Sequence, residues 1–280
     1  MHETAGSKMR TSGWTGAVAL AVALLAAGCQ TVQTTQPGAV GVNREQRMAI
    51  SQQEFEQGAA KSYQDLIQQA QAKGLLNRDA AQVERVRRVA GRLIPATATF
   101  RQDAVKWKWE TNLLSSDQVN AWCMPGGKIA VYTGLIQKLA LNDDELAAVM
   151  GHEMAHALRE HSREQASMQM GQNAVIGIAG ALFGLSDTVQ QVGQLAAEYT
   201  INRRHSRQDE TEADRIGVEL AARAGYDPRA AVSLWGKMAK LAGGEPPQWL
   251  STHPSNEART RDLTDYAQRV MPLYQAAVRR

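Results

Sequence analysis

The segment from Asn142 to His156 constrains the fold of this 280-residue chain more than any other, because it predicts a buried helix that carries two histidines. Asn142 followed by Glu145 is a capping-box pattern, and acidic residues in the first turn favour a helix N-terminus. The apolar run LAAVM then follows, as is typical of a core element. At 100° per residue, His152 and His156 lie about 40° apart on one face. The chain must therefore enclose a polar site within its core.

The spacing His-Glu-x-x-His predicts a metal site on this helix. Two imidazoles four residues apart can reach one metal ion, and Glu153 lies beside them, placed to hold a metal-bound water. The alternative is a pair of surface histidines on a polar helix. The apolar flanks argue against it, because buried histidines need partners. We therefore expect one Zn²⁺ per chain.

A catalytic zinc needs a third protein ligand and an open coordination position. The metzincin extension would place glycine at 159 and histidine at 162, but Arg159 and Ser162 stand there. His161 follows His156 by five positions, so we expect it to point away from the metal, towards the surface. The third ligand must come from further along the chain.

The pair Glu210 and Asp214 supplies the better candidate. The two residues are spaced i, i+4 on a second predicted helix and so share one face. Glu210 can complete the zinc shell, and Asp214 can accept the N–H of a ligand histidine and fix its tautomer. Asp209 and Glu212 on the same helix are expected to be solvated.

His253 is a further candidate for the site. Pro254 keeps it out of helical conformation, and a new helix is predicted after this loop. At the start of a helix the imidazole could donate to an oxyanion or cap the open position on the zinc. It could also be a structural loop histidine, and the residues alone leave these roles open.

Apolar periodicity predicts a mostly α fold with a small antiparallel sheet, which is an α+β class. The predicted elements are helices over 43–73 and 77–93, strands over 104–111, 118–123 and 128–132, and helices from residue 143 onwards. The two last strands form a hairpin, and its edge could bind an extended peptide through main-chain hydrogen bonds.

The first residues indicate a targeting signal rather than part of the folded domain. A basic start, an apolar run over 17–27 and small residues before Cys29 are typical of a secretory signal peptide over 1–28. The end of the run resembles the lipobox of bacterial lipoproteins, which implies a lipid on Cys29. An ordinary signal peptide with a chance cysteine is the alternative. Residues 29–42 then form a flexible tether, and the folded domain covers 43–280.

Composition excludes several classes of protein. Lys and Arg total 31 against 28 for Asp and Glu, so the balance is too even for a nucleic-acid binder. Hydrophobic residues make up 44% of the chain, which is enough for a core. Two cysteines exclude a disulfide framework, and Cys123 is expected to be buried and unreactive.

The stretch 174–185 is apolar on all sides and rich in glycine. It is too short to span a membrane. It predicts either a buried helix with close packing or a surface that contacts lipid or a membrane protein.

Four blocks together resemble the M48 metallopeptidase family, in its HtpX-like and CAAX-prenyl-protease-like group. They are Asn120-Ala121 with Pro125-Gly126-Gly127 and Thr133-Gly134-Leu135, His152 to His156, Ser206-Arg207 with Glu210 to Asp214, and His253-Pro254-Ser255 with Arg259. The resemblance implies a gluzincin-type zinc endopeptidase whose ligands are His152, His156 and Glu210. It also implies a zinc-activated water, Glu153 as the general base and Arg259 beside the ligands.

The same resemblance implies a biological setting. The chain is most similar to the short periplasmic outer-membrane lipoproteins without tetratricopeptide repeats. Their substrates would be unfolded or misassembled envelope proteins, bound along the strand edge marked by Asn120, Pro125, Gly126 and Gly127. Partners would then include the membrane, through the lipid anchor, and the outer-membrane assembly machinery. The alternative is a latent or non-proteolytic chaperone or assembly factor whose zinc is capped by His253.

Overall fold

The computed structural model of the chain describes residues 30–176, 188–241, 248–254 and 257–279, with the backbone alone for 171–176 and 188. The strands within these residues are β1 (Gln30–Val32), β2 (Gln46–Met48), β3 (Glu110–Leu114), β4 (Ala121–Met124) and β5 (Lys128–Tyr132). The helices are α1 (Gln52–Ala72), α2 (Ala80–Leu93), α3 (Thr133–Lys138), α4 (Asp143–Leu158), α5 (His161–Ile176), α6 (Thr188–Ala197), α7 (Arg207–Arg223), α8 (Ala230–Leu241), α9 (Gln248–Thr252) and α10 (Glu257–Val278). The predicted mostly α class with a small sheet is confirmed. The predicted signal peptide over 1–28 and Cys29 lie outside the described residues.

Helix α4 lies at the centre of the molecule. The Asn142 side chain accepts a hydrogen bond from the Glu145 backbone, and the Glu145 carboxylate accepts one from the Asn142 backbone, which confirms the predicted capping box. Every residue from Glu145 to Leu158 is buried. Helices α2, α7 and α8 and strand β4 pack around this helix. The predicted buried helix with two histidines is therefore present.

Helices α4 and α7 cross at a contact between two glycines. A Cβ atom on Gly217 would lie 2.8 Å from the backbone nitrogen of His152. A Cβ atom on Gly151 would lie 2.8 Å from the carbonyl oxygen of Gly217. Because neither position has room for a side chain, the two backbones approach more closely than other residues would allow. This crossing brings Glu210 and Asp214 next to the histidines.

The main sheet has the strand order β3-β5-β4. Strand β4 pairs antiparallel with β5, with Ala121 opposite Val131, as the predicted hairpin requires. Strand β3 instead runs parallel to β5, with Glu110 opposite Lys128. The predicted small antiparallel sheet is thus confirmed for β4 and β5. The parallel pairing of β3 makes the sheet mixed, because the chain runs back along β4 before it enters β5.

The strand predicted over 104–111 is displaced along the chain. Residues 104–106 form a 3₁₀ turn, and β3 begins only at Glu110. The rings of Trp107 and Trp109 stack with centroids 5.5 Å apart, and the Trp109 indole donates to the Ala104 carbonyl at 2.7 Å. The alternation of tryptophan and lysine thus reflects an aromatic pair beside a turn rather than the pleat of a strand.

Residues 30–42 pack against the domain, in contrast to the flexible tether that the sequence predicts. Strand β1 pairs antiparallel with β2. Because β2 occupies residues 46–48, the helix predicted from residue 43 begins only at Gln52. Val40 is buried, and its backbone N–H donates to the buried carboxylate of Glu219 at 2.9 Å. This segment thus supplies a hydrogen-bond donor that a buried carboxylate of the core needs.

The apolar stretch 174–185 lies mostly outside the described residues, and neither interpretation of it is tested. Among the helices that the structure describes, none combines the length and apolar character needed to cross a bilayer.

Candidate metal centre

Four side chains from three parts of the chain bring their ligand atoms together in the core. His152 and His156 come from α4, Glu210 from α7, and His253 from the loop after α9. One ligand atom from each lies within 4.8 Å of all the others, and all four residues are buried. The Nε2 atoms of His152 and His156 are 3.1 Å apart, and His253 Nδ1 is 2.9 Å from Glu210 Oε1. The predicted ligand set therefore converges at one point.

The protonation of these groups suits a cation. Burial, and next the neighbouring His205, lowers the pKa of His156 well below its usual range, so its imidazole is neutral. Burial alone would raise the pKa of Glu210, but the adjacent His253, His156 and Arg259 outweigh burial and hold it well below its usual value. The neutral imidazole of His156 and the ionised carboxylate of Glu210, together with the imidazole of His152, are a donor set typical of zinc. The residues therefore fit the metal that the sequence predicts.

Glu153 lies beside the ligand group without belonging to it. Its Oε1 accepts a hydrogen bond from the Trp249 indole N–H at 2.7 Å and lies 3.5 Å from His253 Nε2. Trp249 comes from the start of α9, and His253 from the loop after it. Sequence reasoning missed Trp249, because only the tertiary structure brings α9 to this carboxylate. The indole holds Glu153 in one orientation towards the site.

Asp214 and Arg259 lie behind the ligands, as expected from the sequence and the resemblance. Asp214 Oδ1 is 3.0 Å from His152 Nδ1. The Arg259 guanidinium donates to both oxygens of Asp214, at 2.7 and 2.8 Å, and Nη1 lies 2.6 Å from Glu210 Oε2. One arginine from α10 thus connects a ligand carboxylate with the carboxylate that orients a ligand histidine.

The expectation that His161 points to the surface is wrong. Its side chain is fully buried, and its Nδ1 lies 2.9 Å from His156 Nδ1. The helical-wheel argument fails because α4 ends at Leu158 and α5 begins at His161. Glu160 between them has a left-handed backbone with φ of 53°, which redirects the chain.

Asp209 and Glu212 are also buried, whereas the sequence predicts that they are solvated. Arg44 lies between them, with Nη2 3.3 Å from Asp209 Oδ1 and Nε 2.6 Å from Glu212 Oε1. Arg159 adds a second contact to Glu212 at 2.8 Å. Buried carboxylates need such partners, and both arginines are remote in sequence from α7.

His205 is a further member of the cluster that sequence reasoning missed. Its ring centroid is 4.0 Å from that of His156 and 5.1 Å from that of His253. Its backbone N–H donates to the Thr252 carbonyl at 3.0 Å, which ties α9 to the start of α7. The sequence did contain a signal for this residue. Five of the chain's six histidines lie between residues 152 and 253, and all five belong to this cluster.

The proposed peptide edge lies on β4, which pairs only with β5 among the strands of the described residues. Asn120 precedes the strand, is buried and accepts from the Tyr132 backbone at 3.1 Å. Pro125 follows the strand, and the turn uses left-handed backbone at Gly126 and Gly127, with φ of 76° and 81°. At the other end, the Trp249 backbone N–H donates to the Val119 carbonyl at 3.1 Å, so α9 lies against the start of this edge.

A central helix with His-Glu-x-x-His, joined by a glutamate from a neighbouring helix, defines a metallopeptidase site of the gluzincin type. The model of Peptidase family M48 matches residues 80–267, which is well over half of the chain. The chain therefore belongs to peptidase family M48, and the resemblance seen in the sequence is confirmed.

Several characterised proteins are similar to this chain. It is 38% identical to the mitochondrial metalloendopeptidase OMA1 of Arabidopsis thaliana over 155 residues, which are 55% of this chain and 31% of that protein. It is 33% identical to the human metalloendopeptidase OMA1 over 179 residues, 59% of this chain and 32% of that protein. The beta-barrel assembly-enhancing protease of Escherichia coli K12 is 29% identical over 181 residues, 61% of this chain and 37% of that protein. The match thus spans well under half the length of each relative.

Proposed function

We propose that this protein is a zinc-dependent metalloendopeptidase that hydrolyses peptide bonds of unfolded proteins. The observation that carries the proposal is the convergence of His152, His156 and Glu210 within 4.8 Å, with Glu153 beside them on the same helix. Membership of peptidase family M48 supports it. A closed structural zinc site would not need a carboxylate in the position of Glu153.

Each residue of the site has a separate role in hydrolysis. Zinc bound there would lower the pKa of a coordinated water and polarise the scissile carbonyl. Glu153 takes the proton from the attacking water and passes it to the leaving amine. The Trp249 indole, 2.7 Å from Glu153, keeps the carboxylate aimed at the reacting atoms. Asp214 holds the His152 ring so that Nε2 faces the ligand group.

Glu153→Gln should keep zinc and lose cleavage, because Glu153 moves a proton and is not a ligand. We expect cleavage of casein, an unfolded protein, to fall by about 10²- to 10⁴-fold, the usual contribution of general acid–base catalysis. Zinc content by atomic absorption and casein hydrolysis would be measured on the same preparation. His152→Ala is the matched variant at the adjacent position of the same helix, and it should lose both zinc and activity. Equal zinc loss in the two variants would show that Glu153 is a ligand instead.

The proposal extends to substrate and place. An edge strand such as β4 binds peptides by main-chain hydrogen bonds, which suits unfolded chains of varied sequence. We propose unfolded or misassembled envelope proteins as substrates and an outer-membrane lipoprotein facing the periplasm, anchored through Cys29. The sequence pattern at the N-terminus and similarity to the beta-barrel assembly-enhancing protease support this, and the latter suggests the outer-membrane assembly machinery as a partner.

A latent form of the same site is the second candidate. His253 Nδ1 lies 3.2 Å from His152 Nε2 and 2.9 Å from Glu210 Oε1, which is a position among the ligands. These residues and Glu153 are all buried, so the arrangement leaves none of their side chains exposed to a peptide. A protein held in this state would bind zinc and client chains without cleaving them.

A further inference from the structure

The two histidines of α4 differ in the partner that contacts their Nδ1 atoms. His152 faces the carboxylate of Asp214 through Nδ1, at 3.0 Å. His156 has no such carboxylate among the described residues that contact its Nδ1. Its Nδ1 faces the Nδ1 of His161, at 2.9 Å.

The partners of His161 determine which nitrogen carries each proton. Its Nε2 lies 3.2 Å from Glu212 Oε2, and an ionised carboxylate can only accept, so Nε2 carries the proton. A metal bound at His156 Nε2 would leave the proton of that ring on Nδ1, so His161 Nδ1 would be the acceptor. The hydrogen bond at 2.9 Å therefore runs from His156 Nδ1–H to His161 Nδ1. This leaves the lone pair of His156 on Nε2, which faces His152 Nε2 and Glu210.

The carboxylate at the end of this series is held firmly in its ionised form. Arg159 reaches Glu212 with Nε at 2.9 Å and Nη2 at 2.8 Å, and Arg44 reaches it with Nε at 2.6 Å. Glu212 is therefore a fixed acceptor for His161.

We propose that His161 is a positioning residue that orients His156 and fixes its metal-binding tautomer, through a relay defined by His156, His161 and Glu212. The inference rests on the proposed metal site. The relay extends the site beyond its metal ligands. Glu212, at its far end, binds Arg44, which lies before residue 80, where the family match begins. The segment between β1 and β2 thus contributes to the setting of a metal ligand.

His161→Leu tests the relay. Leucine fills most of the same buried space but cannot accept from His156 Nδ1, and Glu212 keeps both arginines. We expect the affinity for zinc to fall by about 10- to 100-fold, the usual cost of losing a partner behind a ligand histidine. Affinity would be measured by competition with a chromophoric chelator, and ligand geometry by the absorption spectrum of the Co²⁺ form. His161→Asn, whose amide oxygen can accept from His156 Nδ1–H, should recover much of the affinity.

Ser162→Ala is the matched control. Ser162 is buried on the same turn of α5, and its hydroxyl bonds to Thr200 Oγ1 at 2.9 Å without contacting His156. Thermal unfolding of the metal-free proteins would establish that each variant folds. Unchanged zinc affinity in a folded His161→Leu protein would overturn the relay, as would an equal loss in Ser162→Ala. Wild-type protein that binds zinc but leaves casein intact would refute the peptidase and not the relay. Wild-type protein that binds no zinc would refute both.

Discussion

His253 is the residue whose role most affects activity. Burial alone would lower the pKa of His253, but the carboxylates of Glu210 and Glu153 raise it above its usual value. The imidazole therefore sits among acidic partners and zinc ligands, where it can act either as a fourth ligand or as a donor to the substrate. A fourth ligand would close the coordination position that catalysis needs.

His253→Ala distinguishes the two roles. If the imidazole caps the zinc, its removal opens the position, and basal cleavage of casein should rise several-fold with zinc content unchanged. If it donates to the oxyanion instead, cleavage should fall by about 10²- to 10³-fold. Gln248→Ala changes an exposed side chain at the start of α9, the helix that precedes His253, and should leave the rate as in the wild type. We expect the rise, and a fall would refute the latent form.

The positions of some site residues follow from the local sequence pattern, and the positions of others depend on tertiary contacts. His152, Glu153, His156 and the pair of acids on α7 follow from helical spacing, so the sequence predicts their positions. His161 could not be predicted, because one left-handed residue between α4 and α5 decides its direction. The partners of Glu212 and Glu153 come from segments far away in sequence, and no periodicity reports such contacts.

At the scale of elements, the crossing of α4 and α7 matters most, since it brings the two halves of the metal site together. Spacing predicts both helices but not the distance between them, which depends on Gly151 and Gly217. The small sheet shows the same limit. The hairpin of β4 and β5 is local and was predicted, whereas β3 joins β5 across a longer connection, and the tryptophans before it imitate a strand pattern.

Gly217→Ala should disturb the metal site from a distance. The added Cβ would lie 2.8 Å from the backbone nitrogen of His152, so the helices must separate. We expect the free energy of unfolding to fall by about 1–3 kcal/mol, as for other overpacked cores, with a weaker affinity for zinc. Gly91→Ala is the control, because its Cβ would meet nothing within 4 Å, and it should stabilise α2 by about 0.4–1 kcal/mol. Urea unfolding and zinc titration would measure both, and a Gly217→Ala protein as stable as wild type would contradict the close crossing.

At the scale of the whole molecule, one largely buried ionic network joins the N-terminal segment to α5 and α7. Arg44 pairs with Glu164 of α5 and Glu212 of α7, each at 2.6 Å. Gln46 of β2 donates to Glu164 and to the Arg159 carbonyl, each at 2.7 Å. Removing one member of a buried network leaves another without its partner. We therefore infer that β1 and β2 unfold together with the core, although the sequence predicts a flexible tether over residues 29–42, which include β1.

This network should make the fold sensitive to acid. Burial alone would raise the pKa of Glu164, but hydrogen bonds from Arg44 and Gln46 lower it below its ordinary value of 4.5. A carboxyl with a lower pKa in the folded protein stabilises the fold above the unfolded value, and this stabilisation is lost as the pH falls through the folded value. Glu164→Gln should therefore lower the free energy of unfolding by about 2 kcal/mol at neutral pH, because charged hydrogen bonds are lost. The difference from wild type should shrink as the pH falls below 4.5.

Urea unfolding of the metal-free proteins across this pH range would test the expectation, since removing the metal first excludes its release as a cause of acid sensitivity. Asp65→Asn is the control, because Asp65 is an exposed carboxylate paired only with Lys61, at 2.6 Å, on the surface of α1. Exposed pairs contribute about 0–1 kcal/mol, so this variant should follow the wild-type curve closely. If the free energy of unfolding of Glu164→Gln instead differed from that of wild type by the same amount at every pH, the ionised Glu164 would not couple the N-terminal segment to the core. The acid sensitivity of the fold would then have to come from other buried carboxylates.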